Sequence, residues 1–119
     1  MKVLVCGGRD YDDDLHVFST LCAEHRETLI SLIIEGGADG ADAWAQAWAR
    51  AFGVQCQTVR ADWQKHGRAA GPMRNAQMLT LKPDLVIAFP GGHGTANMVR
   101  QAKQAGVPVK IIEPRIRAA

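Results

Sequence analysis

Five short apolar runs punctuate the chain, at residues 2–6, 31–35, 55–59, 84–89 and 107–112. Most are continuous rather than alternating, which is the pattern of strands covered on both faces. Between them apolar positions recur with helical period: Leu15, Phe18 and Cys22, then Ala41, Trp44, Ala45, Trp48 and Phe52, then Met98, Val99, Ala102 and Ala105. Each stripe forms one face of a helix laid on a sheet. Trp44 and Trp48, four residues apart on such a face, read as core packing. Gly53 and Gly106 follow the second and last stripes where a left-handed helix cap is needed, and Pro108 stands two residues past the latter. Residues 71–81 read as a less regular helix with Pro72 at its first position, where the missing N–H costs nothing.

The resulting βαβαβαβαβ order with short connections predicts an α/β fold: a Rossmann-like, open, parallel five-stranded sheet with right-handed crossovers and helices on both faces. A length of 119 residues sets the expectation of one domain over residues 1–119. In such a sheet every loop leaving a strand's carboxyl end gathers on one edge, where open α/β sheets bind ligands. Those loops are residues 7–14, 36–42, 60–71 and 90–95, and they hold most of the glycines and unusual polar residues.

The fourth loop carries the clearest chemistry. Residues 89–98 read Phe-Pro-Gly-Gly-His-Gly-Thr-Ala-Asn-Met, a glycine-rich turn from strand into helix. Such a turn leaves backbone N–H groups, here of Gly91, Gly92, Gly94 and Thr95 after Pro90, unpaired beside a helix N-terminus, an arrangement that suits a phosphate. No Asp or Glu lies between Pro90 and Gly106 to complement the positive end of that helix.

The other loops offer partners for such a ligand. Gly7 and Gly8 permit close approach to the backbone, although neither GxGxxG nor GxxxxGK[ST] spacing occurs. Arg9 has the fork for a phosphate or carboxylate, with Asp10 to hold it or to accept a ribose hydroxyl; the alternative for Arg9 is a surface ion pair with Asp12, Asp13 or Asp14. In the second loop, Gly36 and Gly37 precede Asp39, which has the form of a helix N-cap, and Asp42, one turn further in, which either accepts ribose hydroxyls or holds a hydrated Mg²⁺, or only complements the helix dipole. In the third, Asp62 and Trp63 precede Arg74 and Asn75. Trp63 stacks on a base or covers the cleft. Arg74, expected in the first turn of its helix, needs an anion nearby, either a bound phosphate or Asp62. His66 and His93 lack a second ligand at metal spacing.

Fourteen basic and twelve acidic residues give a formal charge of +2. That balance implies neither nucleic acid nor an anionic membrane. Cys6, Cys22 and Cys56 are odd in number with no CxxC, and are expected as reduced, buried thiols. No apolar stretch reaches membrane-spanning length, and a cytoplasmic location is expected. The tail at residues 113–119, with Arg115 and Arg117, is expected either to be partly disordered or to pack on a partner.

Five segments together resemble the SLOG superfamily of Rossmann-like nucleotide-binding proteins, especially its small bacterial and phage members of the YspA, cpYpsA-related type: Gly-Gly-Arg-Asp-Tyr at 7–11, Gly-Gly-Ala-Asp-Gly-Ala-Asp at 36–42, Ala-Asp-Trp at 61–63, Ala-Gly-Pro-Met-Arg-Asn at 70–75 and Phe-Pro-Gly-Gly-His-Gly-Thr at 89–95. The Lonely Guy phosphoribohydrolase branch carries Arg-Lys-x-x-Met and Pro-Gly-Gly-x-Gly-Thr-x-x-Glu motifs, to which residues 74–78 and 90–98 are similar. Met98 stands where that branch has its catalytic Glu, and a thioether cannot take a proton. The resemblance therefore implies a binder or sensor of a nucleotide-derived ligand, ADP-ribose or NAD-like or a nucleoside monophosphate, more than an N-glycosidic hydrolase. A hydrolase would need Asp42 or Asp62, or Asp10, as a displaced acid. Single-stranded DNA binding, which another SLOG branch performs, is the reading least supported by the charge. Self-association as a dimer is expected because relatives of this fold often pair.

Overall fold

The computed structural model describes residues 1–115. Strands β1 (Lys2–Cys6), β2 (Leu32–Glu35), β3 (Gln55–Thr58), β4 (Leu85–Ala88) and β5 (Val109–Ile111) alternate with helices α1 (Asp14–Glu27), α2 (Ala41–Ala51), α3 (Trp63–His66), α4 (Ala70–Leu79) and α5 (His93–Gln104). The strands form one sheet in the order β3-β2-β1-β4-β5, with every pairing parallel. This is the expected Rossmann-like α/β architecture.

Alternate residues of β1 serve different cores. Val3 and Val5 pack with Val17 and Leu21 of α1 and Ala45 and Trp48 of α2. Leu4 and Cys6 pack on the other face with Met78 of α4 and Met98 and Ala102 of α5. That two-sided burial is why the run 2–6 shows no alternation. The edge strand β3 does alternate, with Gln55 and Gln57 exposed.

Local signals at the helix ends hold. Gly53 and Gly106 adopt φ of +67° and +78°. The Val54 N–H reaches the Ala49 carbonyl at 2.8 Å, and the Val107 N–H that of Ala102 at 2.9 Å, closing both helices with Schellman bonds. Trp48 is fully buried with its indole N–H on the Cys22 sulfur, while the Trp44 indole donates to the Tyr11 carbonyl. Cys6 is buried and Cys22 and Cys56 are half-buried, all as free thiols.

One expectation about the elements fails. The loop at 60–71 contains a helical turn, α3, followed by a 3₁₀ turn (Gly67–Ala69) that runs into α4. Consequently α4 starts at Ala70, which places Pro72 third and Arg74 in the second turn rather than the first. Pro72 is still tolerated, because the first four N–H groups of a helix lack partners in any case. Of the tail, Arg115 packs on this chain itself: its Nε and Nη2 grip Asp13 at 2.6 and 2.7 Å. Arg117 and its neighbours at 116–119 lie outside the described residues.

Candidate functional site

Because β1 lies between β2 and β4, the loops leaving β1 and β4 part to opposite faces, and a crevice opens at the carboxyl edge between them. The two loops touch where the Gly8 N–H donates to the Pro90 carbonyl at 2.8 Å. The Gly8 carbonyl in turn accepts from the Ala41 N–H at 3.2 Å, docking the start of α2 on the first loop. Gly40, with φ +73°, sits so close that a Cβ there would run into the Gly8 carbonyl oxygen.

A hollow of about 300 Å³ occupies the crevice. Gly7, Gly8 and Arg9 line it from the first loop, Ala38 and Asp42 from the second, Trp63, Gly71, Arg74 and Asn75 from the third crossing, and Gly92, His93, Gly94 and Thr95 from the fourth. Cys6 and Met78 are also among its walls. Burial pushes the Cys6 thiol up to about 12, so it stays protonated.

The start of α5 faces this space with its donors available. Its cap residue is Gly92, which makes no side-chain capping bond, and its first turn holds no acid. The helix's own bonds begin with the Ala96 N–H on the Gly92 carbonyl at 3.0 Å. The N–H groups of His93, Gly94 and Thr95 therefore have no intrahelical acceptor. They sit at the positive end of a twelve-residue helix.

Arg74 is held in place from two sides. Its Nη1 donates to the Gly36 carbonyl at 2.8 Å and its Nε to Asn75 Oδ1 at 3.0 Å. Burial lowers its pKa, Asp42 counteracts this, and Arg9 lowers it further. Asp62, the alternative partner, caps α3 instead by accepting from the Lys65 N–H at 3.1 Å, and is not among the residues lining the hollow. Asn75 is 3% exposed, and both amide hydrogens are committed, to the Gly94 carbonyl at 3.2 Å and Asn97 Oδ1 at 3.1 Å. Its amide thus orients Arg74 against the start of α5 and has no hydrogen left for a ligand.

Asp42 lines the hollow but is 6% exposed. Its Oδ2 accepts from the Gly36 N–H at 3.1 Å and the Ala38 N–H at 3.3 Å. Burial raises its pKa to about 6; Glu35 adds to the rise, while the two backbone bonds and Arg74 oppose it. The expected N-cap at Asp39 is also corrected. Gly40 occupies the cap position without a side-chain bond, and Asp42 holds the loop from inside the helix. Asp42 is the one carboxylate among the described lining residues, its Oδ2 already accepts two N–H bonds, and Arg74 stands beside it. Among the described residues no cluster of three His, Cys, Asp or Glu could hold a metal.

Trp63 is 48% exposed, with the Arg9 guanidinium 5.7 Å above its ring. The pair forms a wall between the first hollow and an adjoining one of about 280 Å³, which Gly36, Gly37, Asp39 and Arg60 line from the far side. Pro90 and Gly91 border a different, more apolar hollow beside β5, and Asp10 lines none of the three. His93, at the start of α5, lines the first hollow and Arg60, just past the end of β3, lines the second, although the sequence alone did not mark either as a ligand contact. Met98 is fully buried in the second core and is not among the lining residues.

The sequence profile of the YspA, cpYpsA-related SLOG family matches residues 1–66. Over 116 residues the chain is 39% identical to the Gene 61 protein of Mycobacterium phage D29, covering 91% of this chain and 93% of that one. Its fold is similar to that of DNA processing protein A (DprA) from Streptococcus pneumoniae, with a TM-score of 0.78 at 19% identity. The superposition covers 97% of this chain and 51% of that one, so this chain spans about half the length of that structure. Among the described residues no helix is long and apolar enough to cross a membrane.

Proposed function

The chain belongs to the YspA, cpYpsA-related SLOG family, and from that premise we propose that it binds a nucleotide or nucleotide-derived ligand, of the nucleoside monophosphate or ADP-ribose and NAD-like class, at the carboxyl edge of the sheet. One observation carries the reading: Arg74 and the uncapped amide groups of His93, Gly94 and Thr95 line the same hollow. A phosphate there receives backbone donors, a helix dipole and a guanidinium fork, which is the recurrent solution for binding that group. Asp42 and Asp39 border the neighbouring space for ribose hydroxyls, and the exposed face of Trp63 offers a stacking platform for a base.

The test is titration calorimetry with AMP, ADP-ribose and NAD on the wild type and on an Arg74→Ala, Gly92→Asp double variant. Saturable binding by the wild type that the double variant lacks supports the reading. Equal affinity in both proteins defeats it.

A second reading draws on Asp42 alone. A buried carboxyl with a pKa near 6 in the hollow has the character of a general acid, as an N-glycosidic hydrolase would need. Release of free base from nucleoside monophosphates, abolished by Asp42→Asn, would support that activity. Turnover that survives the substitution would remove Asp42 from it.

A further inference from the structure

Arg60 has no part in the phosphate cradle, yet it is fixed beside it. Leaving the end of β3, it donates through Nη1 to the Gly37 carbonyl at 3.2 Å, next to the Gly36 carbonyl that receives Arg74 at 2.8 Å. Two guanidinium groups are thus anchored on successive carbonyls of one loop. The third, Arg9, is near enough to Arg74 to disfavour its charge. All three line the second hollow of about 280 Å³.

The carboxylates close to this cluster are engaged elsewhere. Glu35 accepts from the Thr58 hydroxyl at 2.6 Å and from the Gly37 N–H at 3.1 Å, while Asp42 accepts from the N–H groups of Gly36 and Ala38. Glu35 and Asp42 keep their charge and act on Arg74, but neither lines the second hollow. Arg9 and Arg60 stand there with the exposed Asp39 as the one carboxylate among its described lining residues, so an anion between the two guanidinium groups is favoured. The two hollows meet along a shared wall of Arg9, Ala38, Trp63 and Arg74.

We propose that the second hollow is an anionic subsite, and that the ligand carries two separated phosphate-type groups joined by a nucleoside. This rests on the nucleotide reading of the first hollow. One group sits at the start of α5, the nucleoside crosses the Trp63 and Arg74 wall, and the second group lies between Arg9 and Arg60. Adjacent phosphates, as in ADP, would both fall within the first hollow and gain little from Arg60.

The experiment titrates AMP and adenosine 3′,5′-bisphosphate into the wild type, Arg60→Gln, Arg60→Lys, and the Arg74→Ala, Gly92→Asp double variant. The bisphosphate is expected to bind the wild type about tenfold tighter than AMP, the size of one net charge-assisted hydrogen-bonded contact at an exposed site. Arg60→Gln should erase that margin while leaving AMP affinity unchanged, and Arg60→Lys should retain part of it. Equal affinity of the two nucleotides for the wild type overturns the subsite. So does an equal loss for both on Arg60→Gln, which would mean that Arg60 merely braces the loop. AMP affinity indifferent to the double variant would instead remove the nucleotide reading itself, so the two failures are distinguishable.

Discussion

Arg74 donates to the carbonyl of Gly36 at 2.8 Å, across 38 positions of sequence, and so ties the second crossing of the sheet edge to the third. The N–H of the same glycine donates to Asp42 at 3.1 Å. One peptide segment is gripped from both sides, and the cation of the candidate site is positioned by a residue with no side chain at all.

Gly36→Ala should therefore disable the site without unfolding the protein. A Cβ at Gly36 would overlap the Arg74 guanidinium and lie 3.1 Å from Asp42 Oδ2. The guanidinium must swing away. AMP affinity is expected to fall about tenfold or more, since a displaced charged donor forfeits most of its bond, with a cost of about 1–2 kcal/mol in denaturant unfolding. Unchanged affinity would show that Arg74 does not act from its observed position.

Gly92→Asp separates stability from binding. A Cβ at Gly92 meets nothing within 4 Å, and the position is the N-cap of α5. An aspartate there supplies the missing cap and complements the dipole, so thermal stability should hold or rise by a few tenths of a kcal/mol. The same carboxylate occupies and repels the phosphate position, so AMP binding should disappear. A melting temperature that holds, with affinity unaltered, would contradict the proposed cradle.

Asp42 sets a pH dependence of stability. Its folded pKa near 6 lies above the ordinary aspartate value of 3.8, so between those values the folded state binds more protons than the unfolded one. Stability then falls as pH rises from about 4 to about 6, by on the order of 3 kcal/mol for the full shift. Asp42→Asn keeps an oxygen for the N–H groups of Gly36 and Ala38 and removes the titration. Its stability relative to the wild type should increase across that window, as read by urea unfolding at four pH values; parallel curves would rule the effect out.

Asn75→Leu should cost about 1–3 kcal/mol, because it strips the Arg74 Nε of its acceptor and removes the amide's bonds to the Gly94 carbonyl and Asn97 in a place that is 3% exposed. It should also weaken AMP binding, since Arg74 and the start of α5 are joined through that amide. Hydrogen exchange of the Ala96 amide, which donates the first bond of α5 to the Gly92 carbonyl, offers the direct check, and unaltered protection there would count against the coupling.

What the sequence determined by itself was whatever is encoded locally. The continuous runs at 2–6 and 84–89, the helical stripes, and Gly53 and Gly106 depend on neighbours a few residues away, and each of these signals matches an element or cap in the structure. The glycine turn before α5 was legible for the same reason. Only the tertiary structure decided which polar groups remain available. Asp39 lost the cap to Gly40 because the α2 start docks on the Gly8 carbonyl, Asn75 was consumed by Asn97 and Gly94, and Arg60 was drawn to Gly37. The bonds that claim Asn75 and Arg60 span 19 to 23 positions. A hydrogen-bonding group's vacancy depends on which distant segments fold against it, and no local pattern carries that information.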